Sequence, residues 1–492
     1  MTGSSGNFNE ASTWSGGRIP EGNIGQITIQ AGHTVSLTSP LHLTSACTFV
    51  NNGILRITQD GELVSDINVQ GIVEIETAEL PTDKWSFIGA PLNGQDGKYK
   101  LEAILRGTRD ISVSMFDYTT GAWSTGENEW ATYETEVGAG EGFFAWSFAA
   151  EPTVFTTYGE TWDYENNTSL GYNNSTTPKY SLNNGIVTVN KTLNTSYGGA
   201  YWMALANPYT FKLDINKFLA AQTGVQGGIV YRLTYNASNQ PVWQPLSTGQ
   251  INITEGFFVN FASSGAKTVN FDKNQRYTGA KKSAEERNFI KLTMLEGENE
   301  SDLFFAHNQE AEQEYDIFDA NKMFSPAEVS EPYFVTEGKA LVKEEVKTLP
   351  YYATMNVRSF ENKEVSFKAT NIPQGVTVTI IDGDESIRLE EGEQYTTNIT
   401  SGENADRFKV LFGNIRSLEE ALSSKVEIVN YNREVKVSSE QKDLTIMVYD
   451  ALGRKVLETK ERNFTLEDVT SGVYMIKAFN QRVSETTKIV IE

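Results

Sequence analysis

Residues 85–92 read WSFIGAPL and residues 141–148 read EGFFAWSF; residues 202–209 read WMALANPY and residues 255–262 read EGFFVNFA. In both stretches a Trp stands six residues before a Pro, Trp85 before Pro91 and Trp202 before Pro208. From that Pro to the Glu of EGFF the step is 50 residues in the first stretch and 47 in the second. Between the anchors each carries an aromatic strand, a turn and a Trp: MFDYTTGAW ending at Trp123, and VYRLTYNASNQPVW ending at Trp243. Matched anchors around a matched middle mark an internal duplication. Strand-forming aromatics, Gly turns and little 3.6-residue periodicity make each copy a β unit. The copies are placed at 81–160 and 161–280, and pack either as a pseudo-symmetric pair or as two small sandwiches.

Upstream, residues 1–80 read as short strands with paired apolar positions: Ile27/Ile29, Val35/Leu37, Leu41/Leu43, Leu55/Ile57, Ile67/Val69 and Val73/Ile75. A spacing of two puts both side chains of a pair on one strand face. AGHT, NNG, QDG and VQG lie between the pairs, and their Gly residues are read as supplying positive φ. Strands this short cannot each bury a face alone, so stacked rungs of a small right-handed β-solenoid are expected, with a sandwich as the alternative.

Downstream, the charged run AKKSAEER at 280–287 reads as a linker. A strand-only stretch at 288–414 follows, for which an immunoglobulin-like sandwich is expected. Residues 288–413 hold 24 acids against 11 bases, a balance of -13 that supplies more than half of the chain's net charge of -23. IRSLEEALSS at 415–424 is helix-compatible, with Leu418 and Leu422 spaced i, i+4.

Composition narrows the chemistry. Against 41 Lys plus Arg stand 64 Asp plus Glu, which disfavours nucleic acid or an anionic membrane as partner. A single Cys, Cys47, excludes an internal disulfide and any zinc site needing two thiolates. The three His residues, His33, His42 and His307, are spread over two segments. No run of 18 apolar residues is present, so no transmembrane helix is expected. The start, MTGSSGNFNEASTW, lacks a basic and apolar signal pattern and reads as a mature or truncated product.

The tail, 425–492, is neutral, with 11 acids against 11 bases. It reads as a small sandwich with a tight DALGRK hairpin turn centred on Gly453 and a second turn at Ser471-Gly472. Tyr449-Asp450 is followed by Gly453-Arg454-Lys455-Val456, then Leu466 with Gly472, Tyr474, Ile476 and Lys477, and finally Thr487 to Ile491 around Lys488. This order of elements resembles the C-terminal sorting domain of proteins exported by the type 9 secretion system of Bacteroidota. The resemblance implies that Tyr449, Asp450, Gly453, Lys455, Gly472, Tyr474, Lys477 and Lys488 belong to the sorting signal. It further implies passage across the outer membrane as a folded cargo, with a translocon, an outer-membrane shuttle protein and a sortase as partners of residues 425–492. The terminal strand TTKIVIE suits reading by edge addition to a partner sheet.

Other candidates for chemistry are few. Asp382 and Asp384 in IIDGDES, and Asp316 and Asp319 in EYDIFDANK, are turn acids that suit solvation or a weak calcium site, and no cofactor is otherwise expected. Glu141 and Glu255, before Gly-Phe-Phe, are expected to cap turns. Trp123 and Trp243 are the best candidates for a flat glycan platform, with core packing as the competing reading. The sequence is therefore read as an all-β, non-enzymatic cargo at the cell surface or outside it, adhesin-like or structural. A carbohydrate-binding module acting through the duplicated units, and a hydrolase with an unrecognised carboxylate pair, stay open as alternatives.

Overall fold

A computed structural model describes the chain except residues 22, 24, 95, 102–110, 119–121, 124–134, 148–150, 159, 164–167, 173–178, 280–288, 414–425, 432, 440–443, 468, 480–483 and 492. The linker at 280–287, the helix-compatible 415–424, Trp130 and the Trp123 side chain lie outside what is described. Met1–Thr348, Tyr352–Pro373 and Leu389–Val410 form one compact unit; Leu349–Tyr351, Gln374–Arg388 and Leu411–Glu492 form another. The described elements are almost all strands, as the all-β reading requires.

Residues 1–80 form a parallel β-solenoid. Thr34–Leu37 pairs in parallel with Ile54–Ile57, which pairs in parallel with Ile72–Leu80. Gly25–Ile29 pairs in parallel with Cys47–Asn51, and Pro40–Leu43 with Glu62–Ser65. The register stacks Val35 on Leu55 on Val73, and Leu37 on Ile57 on Ile75, all fully buried. Ile67 and Val69 form no strand of their own; they lie in the bend after Glu62–Ser65. The corner glycines act through space as much as through φ. A Cβ at Gly53 would press on His33 O and lie 2.5 Å from Gln30 O, and neither Gly53 nor Gly61 has positive φ. Only a residue without a side chain lets one rung close on the carbonyl of the rung before it.

No gap separates this solenoid from the duplication. Ile72–Leu80 runs on to pair antiparallel with Glu151–Thr156, and Leu63 N donates to Thr210 O at 2.8 Å. Arg276 and Glu62 add an ion pair at 3.1 Å.

The two copies have the same four-stranded antiparallel topology. The first orders Lys84–Ile88, Phe143–Ser147, Ile111–Asp117, Ala122–Trp123; the second orders Tyr201–Ala206, Gly256–Phe261, Val230–Tyr235, Pro241–Leu246. Even the register is shared, since Phe143 faces Ile88 as Phe257 faces Leu205. One side of each sheet feeds its own core, with Ile88, Phe143 and Ala145 in one and Met203, Leu205, Phe257 and Val259 in the other. The remaining sides meet each other. Phe87 lies 5.0 Å from Phe258, Phe116 lies 5.4 Å from Phe258, and Phe144 stacks on Trp243 at 6.1 Å. The pseudo-symmetric pair is thus the arrangement adopted.

Beyond the duplication, strands of the first unit join in one sheet in the order Gln394–Ile399, Lys363–Thr370, Ile290–Glu296, Asn299–His307, Lys339–Val346, Glu331–Thr336, Tyr351–Ser359. An immunoglobulin-like sandwich divides its strands between two sheets, whereas here hydrogen bonding is continuous and the step from Asn299–His307 to Lys339–Val346 is parallel. The segment between them, Tyr315–Ser325, reaches the second copy. Tyr231 Oη donates to Asn321 O, Gly227 N donates to Ile317 O at 2.8 Å, and Trp243 N donates to Ser325 Oγ at 3.3 Å.

Candidate functional site

The C-terminal strands build a two-sheet sandwich. Glu427–Tyr431, Glu434–Ser438 and Asn463–Thr465 form one sheet; Lys455–Thr459, Thr445–Asp450, Gly472–Phe479 and Ser484–Ile491 form the other, in that order. Strict alternation sends Ile446, Val448, Tyr474, Ile476, Ala478, Ile489 and Ile491 inward, where they close on Val435, Val437 and Leu466.

The eight expected signal residues fall into two groups. Asp450, Gly453 and Tyr474 hold the fold. Asp450 Oδ1 accepts from Leu452 N and Arg454 N, both at 2.9 Å, and Oδ2 accepts from Arg454 Nε at 2.7 Å. The Arg454 amide, more than any other contact, holds this carboxyl below the usual range. Gly453 takes φ +76°, which an L side chain would strain. Tyr474 is buried, and its Oη donates to Thr470 O at 2.8 Å, pinning the loop that leads into its own strand. Sequence reasoning missed Arg433, whose Nη1 donates to Leu466 O at 3.0 Å and Val469 O at 2.7 Å. No motif position marked it, because it acts on carbonyls across the sandwich.

The other signal residues face outward, except that Gly472 opens its strand opposite Ile491. Register places Lys488 beside Met475 and Met475 beside Tyr449, which neighbours Lys455; Lys477 lies between Thr486 and Met447. Val473 and Val490 face each other on this surface, 36% and 59% exposed, with Met475 at 37%. Lys455 pairs with Glu458. The outer side of this sheet is therefore an apolar strip flanked by Lys455, Lys477 and Lys488, and Ser484–Ile491 is its edge strand. Apolar atoms supply buried area in docking, and flanking cations orient the approach.

Elsewhere, the candidate groups are spread along the chain. His33 Nδ1 meets Thr2 Oγ1 at 2.9 Å, His42 Nε2 meets Asp66 Oδ2 at 3.0 Å, and His307 Nε2 meets Lys347 O at 2.9 Å, in three separate places. Cys47 is buried, and burial raises its thiol pKa. Asp316 accepts from Phe318 N and Glu312 N, and Asp319 from Glu345 N and Asp316 N, so these carboxylates tie backbone turns. Asp382 and Asp384 flank the Gly383 turn between Val378–Asp382 and Glu385–Leu389. Among the described residues, no group of three or more His, Cys, Asp or Glu gathers in metal-binding geometry. Trp243 is half-buried, ringed by Phe87, Phe144 and Phe258. Trp123 pairs with Phe116 through its backbone.

Residues 427–491 thus form a two-sheet module with its own core, closed by a carboxylate-held hairpin and finished by an edge strand. Residues 431–492 match the family of the secretion system C-terminal sorting domain, and the chain is a cargo of the type 9 secretion system. It is exported across the outer membrane to the cell surface or the extracellular space, and the module interacts with the secretion machinery. No curated protein matches the chain. A solved structure described as "Biofilm associated protein - BSP domain" aligns over 87% of this chain and 98% of that chain at 10% identity. Its TM-score of 0.14 gives it no weight for fold or function. Among the described residues, no helix is long and apolar enough to cross a membrane.

Proposed function

We propose that the exported chain is a non-enzymatic, adhesin-like or structural protein of a bacterium of the Bacteroidota, delivered by its C-terminal module and working through residues 1–414. The observation that carries this reading is the use made of buried ionisable groups in the first unit. Glu331 accepts from Ser325 N and Oγ and pairs with Lys322 at 3.1 Å; Glu255 accepts from Asn252 N and Nδ2; Asp319 ties two backbone amides. These groups are bound as structural members of a rigid β body, the arrangement expected of a scaffold. An outer-membrane shuttle and a sortase are the partners proposed for the outward sheet face and edge strand of residues 425–492.

Deleting residues 425–492 tests the export half of the reading: the truncated chain is expected in the periplasm, and normal surface delivery would refute it. For the adhesive half, cells displaying the chain are compared with deletion cells for attachment to a coated surface and to each other. Equal attachment in both assays rules it out.

A further inference from the structure

The two copies depart from symmetry at the turn before Gly-Phe-Phe, and a cleft opens there. In the second copy the turn before Gly-Phe-Phe is closed by its own side chains. Asn252 N and Nδ2 donate to Glu255 Oε2 at 2.7 and 2.8 Å, Gln250 Nε2 donates to Asn252 Oδ1 at 3.1 Å, and Arg232 pairs with Glu255 at 3.4 Å. Glu255 is thereby shut in, and burial raises its pKa. In the first copy, aligned on EGFF, Gly138 stands where Asn252 stands and Glu136 where Gln250 stands. The cap is gone, and the carboxylate of Glu141 moves over the bare glycine: a Cβ at Gly138 would lie 2.7 Å from Glu141 Oε1.

The vacated space belongs to a cavity of about 780 Å³, within the range of small-ligand sites. Two ion pairs line it, Lys191 with Glu141 at 2.8 Å and Lys98 with Glu136 at 3.2 Å, all four side chains retaining partial exposure. Ile186, 68% exposed, supplies apolar surface beside Leu182, Val187 and Ala139 of the same lining. A third carboxylate of the lining, Asp96, accepts from Lys98 N at 3.2 Å, so each charged group here already has an opposite charge or a donor beside it. A neutral polyhydroxylated ring suits such a lining, because its hydroxyls can donate to the carboxylates and accept from the ammonium groups while its C–H face covers Ile186.

We propose that this cleft is a binding site for neutral saccharides, held by Glu141, Lys191, Glu136 and Lys98 with Ile186 against the ring. The site stands on the cleft alone, apart from the adhesive reading, and it lies in the first copy only because Asn252 fills the equivalent position in the second.

The test uses the full chain and a panel of neutral hexoses, N-acetylhexosamines and their disaccharides, with uronic acids and amino sugars as charged comparators, read by saturation-transfer NMR and calorimetry. At least one sugar is expected to bind. Lys191→Met is expected to weaken it by about tenfold or more with the unfolding transition kept. Gly138→Asn, which restores the cap of the second copy and draws Glu141 out of the cleft, is expected to do the same. Failure of every neutral sugar to bind, or binding that survives both substitutions, overturns the proposal, as does a response confined to charged sugars.

Discussion

Gly89 and Ala206 hold the same place in the two copies and face each other: a Cβ at Gly89 would collide with the Cβ of Ala206 and lie 2.6 Å from Glu141 O. Residues that are each other's equivalents touch only on a symmetry axis, so this contact marks the pseudo-two-fold of the duplication. Backbone bonds exchange around it. Gly89 N donates to Thr254 O and Ala206 N to Gly140 O, both at 2.9 Å, while Glu141 bridges Leu205 as Glu255 bridges Ile88. The glycines of the two EGFF motifs serve the same closeness. A Cβ at Gly256 would lie 2.6 Å from Phe87 Cδ2, and one at Gly142 would lie 2.7 Å from Phe87 Cε2.

Gly89→Ala is expected to destabilise the first unit by roughly 1–3 kcal/mol through overpacking at the axis. Ala206→Gly in the same chain removes one of the two clashes and should recover part of that loss, leaving the Glu141 carbonyl. Urea denaturation of the two single variants and the double variant, read as a cycle, measures the coupling. Additive effects would mean that the two positions do not meet.

In the solenoid, Gly61→Ala is expected to cost more than most surface changes, toward the upper end of the roughly 1–3 kcal/mol of an overpacked site. Its Cβ would press on the backbone of Leu37, which cannot swing away as a side chain end can. Gly16→Ala, with open space around the Cβ, serves as the comparison and should leave the unfolding midpoint within experimental scatter.

The all-β class was legible because strand periodicity is local: Val35/Leu37 and Ile446/Val448 announce an inward face by spacing alone. The duplication was legible because its axis demands the same small and aromatic residues twice, and so writes EGFF twice. Three things were not. Glu62–Ser65 becomes a strand because a parallel neighbour stacks on it, which no window of sequence contains. The continuity of the sheet at 290–399 depends on which strands meet across long separations. The cleft could be found only by comparing two copies in space, since Gly138 reads in the sequence as one more turn glycine.

Asp319 sets an expected pH response. Its carboxyl is buried, with Glu344 and Asp316 adding like charge, and desolvation above all pushes its pKa up to about 7. A folded-state value above the unfolded one means that the contribution is fully present below the unfolded pKa and is lost as pH rises through about 7. The thermal midpoint of the first unit should therefore fall as pH rises from roughly 4 to 7 and level off above that. In Asp319→Asn, where no charge forms, that fall should shrink, although one of the two backbone amides loses its acceptor. An unchanged slope in the variant would assign the pH response to other groups.

The division of the sorting module into inward and outward residues separates folding from delivery. Tyr474→Ala removes a buried ring and the hydroxyl bond to Thr470, and should cost about 3–5 kcal/mol, enough to unfold a domain of this size. Export should fail with it, together with loss of the module's near-ultraviolet circular dichroism. Val490→Asp and Met475→Asp alter only the exposed strip, so their unfolding transitions should stay close to that of the parent. Their surface delivery should nevertheless drop, because a charge on the strip has to be desolvated when a partner sheet or shuttle covers it. Fractionation of cells into periplasm, outer membrane and medium, alongside the unfolding curves, distinguishes the two classes. Full delivery of both Asp variants would place the contact with the secretion machinery on another surface of the module.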